Sequence, residues 1–193
     1  MAGLLAGVLR RLLTLSGQAA SGLRRVLLGL AYPGLSFGSG VTLGRGIRIR
    51  VTDGGSCQIG ARTAIEPGCL LIAKGGELTI GPDGFIGQGS VIVCCSGIAI
   101  GPDALIGEQV TIRDQDHRTA DQDSPYRTQG METEPIAIGG NVWLGAKVTV
   151  VKGVTIGDGA VIGAGAVVTR SLPARCRAVG VPARPVPGQP GEG

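Results

Sequence analysis

A six-residue beat runs through most of the chain and limits what it can fold into. Starting at Ile59, steps of six reach Ile65 and Leu71; a restart at Ile80 reaches Ile86 and Ile92, and another at Ile100 reaches Ile106 and Ile112. Ile138, Leu144 and Val150 continue the series, then Ile156, Ile162 and Val168, and a weaker triplet of Phe37, Leu43 and Ile49 precedes it. The unit is therefore a triplet of hexads, used six times. A period of six cannot hold a helical face, which needs 3.6, but it suits a short strand followed by a sharp bend. Three such sides close one turn of a triangular prism, and anchors of successive turns then stack about 4.8 Å apart, the ordinary strand spacing. Glycine follows the first two anchors of most triplets, as at Gly81 and Gly87 or Gly157 and Gly163. There it is expected to let the backbone take the corner without a Cβ penalty. Extra residues fall only between triplets, so insertions leave from one corner of the prism.

Composition agrees with an ordered, turn-rich chain. The 36 glycines have no G-x-y period, which excludes collagen, and 43% hydrophobic residues exclude disorder; aromatics at 3% leave the core to Ile, Val, Leu and Ala. The expected architecture is all-β, a parallel β-helix of about six coils over residues 35–170, a solenoid that needs caps at its ends. The five cysteines are odd in number and lack a C-x-x-C pair, so they read as small buried hydrophobes in a reducing compartment. Arg10, Arg11, Arg24 and Arg25 interrupt what a secretory signal would need as an apolar run, which makes a cytoplasmic location the expectation.

Three runs carry a family resemblance: Ile138-Gly-Gly-Asn-Val-Trp-Leu-Gly-Ala146, then Gly153-Val-Thr-Ile-Gly-Asp-Gly-Ala-Val-Ile-Gly-Ala-Gly-Ala-Val-Val-Thr169, then Ala178-Val-Gly-Val-Pro-Ala-Arg184. Over roughly residues 37–185 the chain resembles the hexapeptide-repeat acyltransferases, particularly the maltose, galactoside and capsule or colanic-acid type O-acetyltransferases. The resemblance implies a left-handed β-helix, usually a homotrimer with active sites between subunits, acetyl-CoA as co-substrate and a carbohydrate as acceptor.

Between Ile112 and Ile138 the beat stops, and this interruption holds the only histidine, His117. Ile112-Arg-Asp-Gln-Asp-His117 matches a family motif, I-x-D-x-D-H, that places a catalytic histidine on an extended loop. Moving an acetyl group from a thioester to a sugar hydroxyl requires removal of the hydroxyl proton, and imidazole, with an ordinary pKa of about 6.5, is suited to accept it. Asp114 or Asp116 could fix its tautomer, and the sequence does not choose between them. The resemblance further implies that Trp143 packs against the pantetheine arm or the acceptor, that the backbone of Ala146 and Ala164 bonds the arm, and that Thr169, Arg170 and Arg184 meet the adenosine and phosphate end. No metal is expected, since one histidine without a cysteine cluster cannot form the three-histidine zinc site of carbonic anhydrases built on a similar prism. The alternatives are N-acylation of an amino sugar or antibiotic, and a non-catalytic β-helix that polymerises end to end.

The two ends read differently. Residues 1–34 form a helical segment whose stretch 4–30 lacks acidic residues and supplies the whole formal +4. It is expected to cap the first coil or, as a basic amphipathic helix, to rest on an anionic membrane at its inner face. Nucleic acid is not an expected partner, because the body is charge-balanced and lacks aromatic platforms. From Ser171 the chain leaves the repeat, and residues 171–193 read as an extension with a disordered tail.

Overall fold

The computed structural model describes Gly17 and residues 19–186. Three parallel sheets make three faces of a prism. The first face stacks Leu35–Phe37, Ser56–Ile59, Glu77–Ile80, Gly97–Ile100, Ile136–Ile138 and Thr155–Ile156. The second stacks Thr42–Leu43, Ala64–Ile65, Phe85–Ile86, Leu105–Ile106, Trp143–Leu144 and Val161–Ile162, and the third stacks Arg48–Thr52, Leu70–Lys74, Val91–Cys94, Thr111–Arg113, Thr149–Val150 and Val167–Val168. Anchors lie in register from coil to coil: Ile59 on Ile80, Ile65 on Ile86, Leu71 on Ile92, Ile112 on Val150. From Leu43 onward they form one buried column, while Phe37 at the open end is only partly covered. This is the six-coil parallel β-helix that the hexad spacing predicts, consistent with the left-handed form.

A second inward position sits at the corners. Val41, Cys69, Val110, Val142, Val148 and Ala166 occupy it and are buried. Where the residue is polar, its hydroxyl is satisfied by the next coil: Thr63 donates to the carbonyl of Gly81 at 2.9 Å and Ser90 to that of Gly107 at 3.0 Å. All five cysteines are free. Burial pushes the Cys57 and Cys94 thiols up to about 12, which leaves them protonated and inert, whereas Cys95 and Cys176 are half-buried rather than core residues.

The glycines after the anchors have a different cause from the one expected. The residue with left-handed backbone is the third after each first and second anchor, and beside glycines that position holds Arg62, Asp83, Asp103, Gln109, Asn141, Lys147 and Arg175, with φ from 52° to 61°. The glycine directly after the anchor is selected by the neighbouring coil. A Cβ on Gly81 would lie 2.5 Å from the backbone nitrogen of Pro102, one on Gly101 2.5 Å from that of Gly140, and one on Gly145 2.6 Å from that of Ala164. Coils pack too closely at these corners to admit any side chain.

Among the described residues no strand precedes the first coil, so Leu43 N–H and C=O lack a ladder partner. A helix over residues 19–31 supplies one: Ser21 Oγ accepts from Leu43 N at 2.8 Å, and Arg24 donates to Leu43 O at 3.0 Å. Leu28 and Tyr32 pack against the core beside them. At the other end, the expected exit from the β-helix at residue 170 comes too early. Leu172 bridges Ile156, and six residues on Ala178 stacks on Ile162, so a seventh, partial coil follows. Val168 to Leu172 is a step of only four, which hides the beat. Arg184–Pro185 then returns antiparallel on Arg177–Val179 and closes the second face. The remainder of the tail, residues 187–193, lies outside the described residues.

The two glycine positions separate experimentally. Gly81→Ala is expected to destabilise by about 3 kcal/mol, because backbone must move. Gly89→Ala, where φ is +70° and a Cβ would meet only Gln109 Cγ at 3.7 Å, should lose about 1 kcal/mol. Thermal and urea melts of the two variants check the order.

Candidate active site

The interruption is an ordered hairpin. It leaves after Thr111–Arg113, at the corner between the third and first faces, and Gln115–His117 pairs antiparallel with Met131–Thr133, placing His117 opposite Met131. A short 3-10 turn, Tyr126–Thr128, lies in the distal part. His117 is exposed on this arm.

The base of the hairpin is fixed on both sides. Asp114 has no exposed surface, and its carboxylate accepts from the backbone N–H groups of Cys95 at 2.8 Å, Ser96 at 2.7 Å and Gly97 at 2.8 Å, which form the same corner one coil earlier. Its own carbonyl accepts from Glu134 N at 2.9 Å, closing the neck. On the returning side Lys152 pairs with Glu134 at 3.0 Å and Glu132 at 3.5 Å, and Gly153 N donates to Glu134 O at 3.1 Å. Asp114 is thus committed to the turn at residues 95–97 and does not orient the imidazole as expected. Asp116 is exposed beside His117, and among the described residues no hydrogen bond joins the two.

The second face carries a groove of about 480 Å3. The residue before each second anchor points outward, and in register these are Phe85, Leu105, Trp143 and Val161, with Leu105 43% and Trp143 51% exposed. Ala146 and Ala164 line the edge where this face turns into the third. Among the described residues, neither Ala146 N–H nor Ala164 N–H donates to a backbone carbonyl, so both amides are available to a ligand, while Ala146 O accepts from Gly165 N at 2.8 Å. Arg184 is exposed on the terminal strand of the same sheet and is not among the residues that line the groove. Three of the expected donor residues, Trp143, Ala146 and Ala164, therefore come together.

The others do not. Thr169 and Arg170 are exposed after Val167–Val168, at the corner from which the hairpin leaves two coils earlier. In a triangular prism that corner lies opposite the second face. None of the groove-lining residues comes from the hairpin, so within one chain the histidine and the groove are separate. The sequence reading missed Phe85, Leu105 and Val161 as groove residues, although a signal was present. The position before the second anchor is bulky and apolar in four successive coils, whereas the one before the first anchor reads Gln58, Thr79, Ala99, Ala137 and Thr155.

Replacing Asp114 by Ala leaves three backbone donors without their acceptor, each worth about 1–3 kcal/mol when buried. The variant is expected to lose at least about 3 kcal/mol and to melt several degrees lower. Trypsin should also cut faster after the exposed Arg118 and Arg127 of the hairpin; unchanged melting and cleavage would show that the clamp holds nothing.

Comparison with known proteins follows this geometry. Residues 135–170 match the family model described as bacterial transferase hexapeptide (six repeats). The chain is 36% identical over 158 residues to the probable acetyltransferase Rv3034c of Mycobacterium tuberculosis, covering 81% of this chain and 53% of that protein. It is 41% identical over 119 residues to the polysialic acid O-acetyltransferase of Escherichia coli, covering 61% of this chain and 38% of the relative. The chain thus spans about half the length, or less, of these relatives. Among solved structures it shares its fold with AntD, an N-acyltransferase from Bacillus cereus in complex with dTDP and 3-hydroxybutyryl-CoA, with a TM-score of 0.68 at 23% identity over 83% of this chain and 86% of that one. With its triplets of hexads stacked as six full coils, the chain carries the bacterial transferase hexapeptide repeat over residues 135–170 and is similar to the hexapeptide-repeat acyltransferases.

Proposed function

We propose that the protein transfers an acetyl group from acetyl-CoA to a hydroxyl of a carbohydrate, in a site assembled between two copies of the chain. The observation that carries this reading is the placement of the two halves. An exposed imidazole on a clamped arm leaves one corner, and an apolar groove with two unpartnered amides runs along the opposite face. A rotational assembly, in which a corner of one subunit meets the second face of the next, joins them, and three copies close the ring.

In that arrangement the acceptor hydroxyl attacks the thioester carbonyl carbon while His117 takes its proton. The tetrahedral intermediate collapses by breaking the carbon–sulfur bond, and the CoA thiolate leaves and is protonated, with no acyl-enzyme formed. Trp143 and its apolar neighbours pack along the pantetheine arm, and Ala146 N–H and Ala164 N–H bond its amides. Arg184, Arg170 and Thr169 surround the adenosine and phosphate end, where the planar guanidinium pairs bidentately with anionic oxygens. A hydroxyl acceptor is favoured over an amine by the relatives with the higher identity, of which one is named as an O-acetyltransferase, whereas AntD shares the fold alone.

Calorimetric titration with acetyl-CoA should show one site per chain. Trp143→Ala is expected to weaken that binding about tenfold, a loss typical of removing one packed aromatic. His117→Ala should bind the donor normally but transfer roughly 10²–10⁴ times more slowly to the accepted sugar. At low donor concentration, mixed oligomers of the two variants should be more active than either variant alone, because some sites then combine an intact Trp143 with an intact His117. A folded oligomer that ignores acetyl-CoA at high concentration would overturn the assignment.

A further inference from the structure

We infer that the N-terminal end of the prism docks on an anionic lipid surface, a property independent of the acyl-transfer reading. The helix over residues 19–31 has two sides with different fates. Its inner side is spent on the first coil through Ser21, Arg24 and Leu28. Its outer side presents Leu23 at 60% exposure, Val26 at 60%, Leu27 at 56% and Leu30 at 77%. These four are spaced i, i+3, i+4, i+7, so they form one continuous apolar stripe. Capping and surface contact, which stood as alternatives in the sequence, are therefore the two faces of one helix.

Charge identifies the partner. Residues 19–52 contain five arginines, Arg24, Arg25, Arg45, Arg48 and Arg50, and no acidic residue; the first acid of the chain is Asp53. A solenoid converts sequence position into position along its axis, so this charge is gathered at the end that the helix covers. Arg45, Arg48 and Arg50 are exposed on the first coil. An apolar stripe next to an all-basic rim suits the interface of an anionic bilayer, where apolar side chains enter the acyl boundary and cations meet headgroup phosphates. A second copy docked end to end would bring two sets of arginines together with no acid to offset them. Among the described residues no helix is long and apolar enough to cross a membrane, which fits a helix lying in the interface plane. If the copies assemble in a ring as proposed above, all their helices face the same way, and weak single contacts add.

Flotation of the full chain with vesicles tests this. Wild type should float with vesicles containing phosphatidylglycerol at least tenfold better than with phosphatidylcholine alone, and the difference should shrink in high salt. Two variants read the two components: Leu23→Gln with Val26→Gln, Leu27→Gln and Leu30→Gln, and separately Arg45→Gln with Arg48→Gln and Arg50→Gln. Each should lose at least tenfold in binding while keeping the wild-type melt and the wild-type acetyl-CoA titration. Equal flotation of wild type and both variants, or no flotation on phosphatidylglycerol, overturns the proposal. So does a stripe variant whose oligomer dissociates in the absence of lipid, since the stripe would then be buried between copies.

Discussion

Everything in this molecule depends on how closely one coil lies on the next. At the first two corners the backbones approach until a Cβ on the glycine after the anchor has almost no room, and glycine holds that position in every full coil except at Glu66. That contact holds the strands at hydrogen-bonding distance across all three faces, and the aliphatic column inside then stacks side chain on side chain. Backbone dihedrals are the lesser constraint. Arginine, aspartate, asparagine and lysine all occupy the left-handed corner position, where local strain of a kcal/mol or so is absorbed by the packing around them.

The same constraint decides where the chain can carry chemistry. Two corners are interlocked with their neighbours, and only the third tolerates extra residues, so the hairpin with His117 had one place to leave the prism. A long arm on a solenoid would ordinarily be loose. Here a buried carboxylate gathers three amides from the coil before, and Lys152 holds the returning strand on the coil after. Asp114 therefore belongs to the architecture that presents the histidine, while the groove across the second face is built from outward residues of a different part of each coil. Two halves on opposite sides of a rigid prism make assembly a requirement of the proposed chemistry.

How much of this could be read from the chain follows from what repeats. The anchors, the three faces, the corner that takes insertions and the outward direction of Trp143 are all properties of a periodic pattern, and periodic burial leaves a periodic trace. The reason for the glycines was misread, because the distance between coils is a relation between residues about twenty apart and leaves no mark at the glycine itself. The end of the β-helix was misplaced because a four-residue step from Val168 to Leu172 broke the beat one corner before Ala178 resumed it. Asp114 was grouped with His117 for its nearness in sequence. Its role is set by a turn about twenty residues earlier, which no local motif records.

The mapping of sequence onto axis makes the β-helix a ruler. The hairpin leaves the fourth coil, three coil spacings from the first, so its root stands about 14 Å above the coil that carries the N-terminal helix. That height is set by a whole number of coils, not by any loop or linker. Adding or deleting one coil between them would move the histidine arm by about 4.8 Å relative to the basic end and leave both intact. Reach, in such a molecule, is counted in repeats.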